Sequence, residues 1–406
     1  MDGNGTTPLH PAVEAALIDA VRTCQANPST PTPGGRKARR LIEEAEEKVK
    51  ALFPIGGTPV FTGSGTESVS TAIHLALLLR PKTSTVPHVL CSCVDHPATY
   101  STLRRLESLG EISLGVLPIG PGGTVPAAAL LAAARAEPPA LVCLIHAHNE
   151  LGAVQDLGCL GELRRKAPGA LVHVDASQSV GKTSLAPLAS ADLVTLTGHK
   201  QGAPKGISCL FISAGLTPSL HRIPPHGGIL MCGGGQAGGL RSGTENVPYI
   251  HAFAKSLDVI GGREEGAMGF EALQEHHRAV CGAILSGLGD LKYGVNVGSD
   301  RAGASNVLSL SFEPVPSKVL VAALQERHGV TIAAGSACDA GGGGKPVASR
   351  TMKNLPGVSE GARLATVRIS CGFWNTVEDG KRAGEAIRLE VRRLREEMNI
   401  CRQANV

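Results

Sequence analysis

"DLVTLTGHKQGAPKG", residues 192–206, decides how this chain is to be read. Its first half, "DLVTLTG" (192–198), is a short apolar run with β-branched residues, the pattern of a buried strand. The run breaks on a glycine and delivers His199 and then Lys200, with more glycines and a proline crowding the backbone behind them. A lysine at the end of a buried strand needs a reason, and the reason has to come from what the rest of the chain places around it.

Five more runs resemble the first: "PVFTG" (59–63), "HVLCSC" (88–93), "ALVCLIHA" (140–147), "ALVHVDA" (170–176) and "ISCLFIS" (207–213). Most are separated by amphipathic, helix-length segments such as 65–80 and 157–167. That alternation predicts an α/β domain with a mainly parallel sheet and helices on both faces. A glycine-rich stretch (226–243) interrupts it. Beyond lie helical patterns at about 246–262, 265–289, 317–327 and 377–398, with strands at 306–312 and 365–370, the make-up of a smaller α+β domain. The expected division is a large domain over 12–250 and a small one built from 1–11 and 251–406.

Composition narrows the function classes. The 406 residues are 42% apolar and 18% charged, with a formal net charge of +4, which gives no electrostatic reason to expect a nucleic-acid partner. No apolar run reaches membrane-spanning length, and the N-terminus "MDGNGTTPLHPA" has neither a secretory nor a transit pattern. Eleven irregularly spaced cysteines, with no CxxC pair, do not form a disulfide framework. The expectation is a cytoplasmic protein whose cysteines are mostly small buried residues.

Three motifs compete for the chemistry. "ASQSVGKT" (176–183) satisfies a permissive phosphate-loop pattern after a strand, but Pro187 and the strand at 192 leave no room for the long helix such a loop requires. "HAH" (146–148) and "HH" (276–277) lack further ligands at metal spacing, so no metal site is expected and the histidines read as structural. "TGSGTES" (62–68) is different. A strand ends in a Gly-Ser-Gly turn and a helix opens at Thr66, which makes an anion site from exposed N–H groups. Asp175 in "HVDASQ" stands at a strand's carboxyl end, where open α/β sheets bind ligands, and Lys200 stands at the equivalent end one strand later. An anion cradle, a lysine and a carboxylate on one sheet edge suit pyridoxal 5'-phosphate.

These residues resemble the class V, fold-type I pyridoxal-phosphate enzymes, specifically the cysteine desulfurases and selenocysteine lyases. The resemblance runs nearly end to end. It takes in "DGNGTTPLHPAV" (2–13), "FTGSGTES" (61–68), "DHPA" (95–98), "HNELGAVQD" (148–156), "HVDASQSVGK" (173–182), "TGHKQGAPKG" (197–206), "GGGQAGGLRSGTENVP" (233–248), "GSAC" (335–338) and "VRISCG" (367–372). It implies that Lys200 bonds to the cofactor and moves the Cα proton, that His96 stacks on its ring, and that Asp175 pairs with the ring nitrogen. Gln178 and Asn149 would bond the ring hydroxyl, with Asn149 also reaching the substrate carboxylate. Gly65, Thr66 and His199 would hold the phosphate, with Thr197 beside them as a cofactor contact. Thr244 would reach the partner subunit's cofactor in a homodimer. Arg368 would clamp the carboxylate of L-cysteine or L-selenocysteine, and Cys338 would take the chalcogen and pass it to an acceptor protein.

Cys338 also stands out on its own, with "GSA" before it and "DAGGGGK" after it, where no packing pattern holds a side chain. Several positions depart from the family pattern. Phe373 stands where an arginine is usual, Pro97 follows His96, and "NPSTPTPGG" (27–35) lacks a histidine found in many desulfurases. The rival readings are a class V aminotransferase or another β-lyase, which need no loop thiol, and a catalytically silent scaffold.

Overall fold

The computed structural model describes residues 1–53, 56–80, 85–223, 228–297, 303–335 and 347–404. Seven strands form the larger sheet: β1 (Gly57–Thr62), β2 (His88–Ser92), β3 (Ser113–Leu117), β4 (Leu141–Ile145), β5 (Leu171–Asp175), β6 (Leu193–Thr197) and β7 (Ser208–Ser213), in the order β1-β7-β6-β5-β4-β2-β3. β3, β2, β4, β5 and β6 run parallel, while β7 is antiparallel to both β6 and β1. Every residue of β4, β6 and β7 is buried, as expected for strands covered on both faces.

The strand period of two sends alternate residues to two separate cores. Val142, Val172, Val174, Val194 and Leu196 point to one face. There they meet α2 (Pro33–Lys50), α5 (Ala127–Ala136), α6 (Leu160–Lys166) and α7 (Val247–Ile260). Val89, Cys91, Leu141, Cys143 and Leu193 point to the other, against α3 (Gly65–Leu79) and α4 (Pro97–Ser108). α1 (Pro11–Thr23) lies outside this layer, with Val13 packed on Ala252 and Val259 of α7.

The second unit has a three-stranded antiparallel sheet, β8 (Gly294–Val295), β9 (Val307–Ser311) and β10 (Thr366–Ser370), in the order β10-β9-β8. It packs on α8 (Phe270–Leu288), α9 (Ser317–His328) and α12 (Val377–Ala404) around Leu310, Phe312, Val367 and Ile387. α8 and α12 approach closely because Gly287 and Gly384 meet there: a Cβ on Gly384 would lie 2.2 Å from the Ile284 carbonyl oxygen. The short helices α10 (Arg350–Asn354) and α11 (Glu360–Leu364) lead into β10. The N-terminal segment joins this unit, since Asp2 bridges Ser370. Among the described residues no helix is long and apolar enough to cross a membrane.

Two strands escaped the sequence reading. β3, "SLGVL", is half-buried at the sheet edge and carries serine and glycine, and β8 is two residues long. His146, His148 and His277 are buried, while His276 is half-buried. His146 meets Ser179 Oγ at 2.9 Å, His148 the Val94 carbonyl at 3.1 Å, and His277 Ser305 Oγ at 3.2 Å. Burial holds His146 and His148 neutral down to about pH 4, as it does His173, and pushes His277 down to about 3.

An acid-stability prediction follows from these shifts. The unfolded chain protonates the four histidines near pH 6.5, but the folded chain does so only near pH 3–4, so their contribution to stability is complete above pH 6.5. It is lost as the pH falls through that window. Asp95, pushed up to about 7 chiefly by burial, binds a proton in the folded state over part of the same range and offsets part of the slope. Melting temperatures measured between pH 7 and 4 are expected to fall steadily. A flat profile would contradict the buried, neutral histidines.

Candidate active site

The crowding behind Lys200 is visible in the backbone. A Cβ on Gly198 would lie 2.7 Å from the Ile207 carbonyl oxygen, while Gly202 and Gly206 turn at φ +85° and +88°. The turn is strapped by the N-terminus. Thr7 N donates to the His199 carbonyl at 2.9 Å, and Gly202 N to Thr7 Oγ1 at 2.8 Å. Lys200 is thereby aimed along the carboxyl edge of the sheet, where its Nζ donates to the carbonyls of Asn4 (2.5 Å) and Gly5 (2.6 Å).

Lys200 opens into a cavity of about 470 Å³. Gly65, Thr66, His96, Asn149, Asp175, Gln178, Thr197, His199 and Arg368 share its walls, so nine further residues singled out in the sequence converge on one space. Asn4, Gly5, Ser177 and Lys205, which the sequence reading did not single out, line it as well.

Each part has a local cause. Ser64 caps α3 by accepting from Glu67 N at 3.1 Å, so Gly65 and Thr66 supply the first N–H groups of the helix, which have no preceding carbonyl to bond. Gly65 has to be glycine: a Cβ there would sit 2.3 Å from Thr197 Oγ1. Thr197 Oγ1 in turn meets Ser177 Oγ at 2.7 Å. Asp175 ends β5, is buried, and accepts from Ser177 N at 3.0 Å.

His96 is the N-cap of α4. Its Nδ1 accepts from Ala98 N at 3.1 Å, which leaves the proton on Nε2, and Pro97 fits because the first helical position needs no donor. Burial, ahead of any nearby charge, lowers the His96 pKa. His199 is pushed down to about 4, first by burial and then by Lys200, Lys205 and Lys182, and its Nδ1 meets Thr6 Oγ1 at 3.1 Å.

Arg368 is 3% exposed. Its Nη2 donates to Asp2 Oδ1 at 2.5 Å and its Nη1 to the Asn149 carbonyl at 3.2 Å. Its Nε finds no partner among the described residues, so a buried donor remains for an anion. These features fit pyridoxal phosphate: a glycine-lined helix terminus for the phosphate, a buried carboxylate for the ring nitrogen, an amine for the aldehyde, and a guanidinium for a substrate carboxylate.

Other residues lie elsewhere. Thr244 is in a separate cleft of about 210 Å³, on the far side of a wall formed by Gly206 and Ile207. Cys338 lies outside the described residues. The described chain on either side of it meets Glu150: a Cβ on Gly335 would be 3.8 Å from Glu150 Oε2, and Ser349 Oγ donates to the same oxygen at 2.7 Å. Arg350 donates to the Cys93 carbonyl at 2.6 Å and lies over the Tyr100 ring.

Among the described cysteines, Cys232 in the glycine-rich segment is exposed. Phe373 packs between His10 and Trp374, against the turn at Gly202. The phosphate-loop look-alike is a tight turn with Gly181 at φ +75°, and its Lys182 is buried and bonded to Gln178 Oε1.

A mainly parallel sheet with a carboxylate at the end of β5 and a lysine in the turn after β6, facing a helix N-terminus, suits pyridoxal phosphate. The family model Aminotransferase class-V matches residues 1–382. The chain is 32% identical over 343 residues to a cysteine desulfurase of Nostoc sp., covering 84% of this chain and 80% of that protein. It is 30% identical over 404 residues to the cysteine desulfurase IscS of Escherichia coli O139:H28, covering 98% and 93%. A solved NifS-like protein superposes with a TM-score of 0.81 at 25% identity, over 96% of this chain and 97% of that one. The chain belongs to the class-V aminotransferase family, which uses pyridoxal phosphate.

Proposed function

We propose that this chain removes sulfur or selenium from L-cysteine or L-selenocysteine, releasing L-alanine and leaving the chalcogen on Cys338 as a persulfide or selenopersulfide. The observation that carries the reading is the convergence of Lys200, Asp175, His96 and Arg368 on one cavity. Bound there, pyridoxal phosphate supplies an electron sink that stabilises negative charge at the substrate Cα.

The chain's own residues do the rest. Gly65, Thr66, Thr197 and His199 hold the phosphate, with His199 neutral and acting as a hydrogen-bond partner. Asp175 would pair with the ring nitrogen, His96 would cover the ring, and Gln178 and Asn149 would bond its hydroxyl. Arg368 binds the substrate carboxylate through a planar fork, and Asn149 assists it. Lys200 Nζ takes the proton from Cα and returns it there before alanine leaves. Cys338 Sγ, as thiolate, bonds to the substrate chalcogen as the Cβ–chalcogen bond breaks. That bond's electron pair stays with Cβ, which is protonated to become the methyl group of alanine.

Thr244, remote from its own cavity, suits a homodimer in which it reaches the partner's phosphate, and an acceptor protein would then discharge Cys338. Alanine and released chalcogen are to be measured side by side from the two substrates. In Cys338→Ala, chalcogen release is expected to fall by roughly 10²-fold, the scale for loss of one positioned reacting group, while the bound cofactor keeps its visible absorbance. Release at the wild-type rate would point instead to a lyase that uses no loop thiol.

A further inference from the structure

We infer that Asn4 is a positioning residue of this site, the hub that sets Asn149, Gln178 and Lys200 relative to one another. The inference rests on the function proposed above for those three residues. Asn4 is 2% exposed, and all four of its polar atoms are bonded. Its N donates to Ser370 Oγ at 3.0 Å, and its Nδ2 to the Asn149 carbonyl at 3.1 Å. Its carbonyl accepts from Lys200 Nζ at 2.5 Å and Gln178 Nε2 at 3.0 Å. Its Oδ1 accepts from Lys182 Nζ at 3.2 Å and Asn306 Nδ2 at 3.0 Å.

The amide is the side chain this position needs. It must donate to one carbonyl while accepting from an amine and a second amide, which an ionised carboxylate, having no donor, cannot do. The segment is fitted tightly on both sides. A Cβ on Gly3 would lie 2.6 Å from the Cys371 carbonyl oxygen, and one on Gly5 2.5 Å from Asp2 Oδ2.

Lys182 completes the device. It is 5% exposed, and its Nζ donates to two amide oxygens, Asn4 Oδ1 and Gln178 Oε1. This fixes the rotation of the Gln178 amide: the oxygen faces Lys182, one N–H faces the Asn4 carbonyl, and the second N–H remains for the cavity. The Asn149 peptide is held from two sides, by Asn4 Nδ2 and by Arg368 Nη1, so the asparagine and the guanidinium proposed to bind one carboxylate share an anchor.

The test compares Asn4→Ala and Asn4→Asp with Ser311→Ala. The control removes buried hydrogen bonds to Asn296 and Thr366 within the smaller sheet. Three readouts are taken: KM and kcat for the amino-acid substrate, the affinity for pyridoxal phosphate, and hydrogen exchange in peptides covering residues 145–152 and 176–184.

Both Asn4 variants are expected to raise KM by about tenfold with a smaller change in kcat, to weaken cofactor binding, and to speed exchange in both peptides. Ser311→Ala should lower the melting temperature without these changes. Wild-type KM and exchange in Asn4→Ala, or an equal KM rise in Ser311→Ala, would overturn the assignment. If Asn4→Ala does not fold, Asn4→Asp is judged by the same criteria. If the wild-type protein binds no pyridoxal phosphate, the proposed function fails separately, and hydrogen exchange alone decides the role of Asn4.

Discussion

Lys200→Ala is expected to lower kcat by about 10⁴-fold, the upper range for a positioned proton-transfer group, with the protein still folded and still holding pyridoxal phosphate non-covalently. The separation of these effects follows from the geometry. The phosphate contacts proposed above come from Gly65, Thr66, Thr197 and His199, which line the cavity without relying on the lysine side chain. The carbonyls of Asn4 and Gly5, which accept from Nζ, line an open cavity where water can replace the lost donor. Lys200→Arg should fare no better, because a guanidinium neither condenses with an aldehyde nor gives up its proton near neutral pH. Stopped-flow turnover alongside cofactor-binding titration checks both halves. A variant with more than a few per cent of wild-type turnover would mean that another group moves the Cα proton.

Asp175→Asn is expected to cost roughly 10²–10³-fold in kcat, the range seen when one preorganised electrostatic partner of a transition state is removed. The substitution is nearly isosteric, and an amide oxygen can still accept from Ser177 N, now 3.0 Å from Asp175 Oδ1. What it removes is the carboxylate proposed to pair with the ring nitrogen, and with it support for the ring's capacity to accept electron density from Cα. Cofactor affinity should change far less than kcat. A fall in affinity with kcat preserved would show that Asp175 binds the cofactor without activating it.

Much of this site was legible because its residues stand where a pattern ends. Asp175 and Lys200 terminate apolar runs, Gly65 and Thr66 begin an amphipathic helix, and those boundaries survive into the structure as β5, β6 and the start of α3. The strands missed were those with the least burial: β3 is only half-buried at the sheet edge, so its sequence carries little burial signal. The antiparallel placement of β7 was hidden for a different reason. Its run is as apolar as its neighbours', and direction is set by the connection, not by composition.

The Asn4 hub was the least legible part. Its partners lie 145 to 366 residues away, and nothing local marks an asparagine between two glycines as the meeting point of β4, β5, β6 and β10. Lys182 shows the converse. A motif suggested phosphate binding, but a turn at Gly181 buries the amine against amide oxygens, a difference that no short pattern can encode.

Borohydride reduction of the protein loaded with pyridoxal phosphate, followed by peptide mass mapping, tests the central claim most directly. The account predicts a single pyridoxyl group fixed on Lys200. An unmodified Lys200, or a label carried by Lys182 or Lys205 in its place, would contradict it.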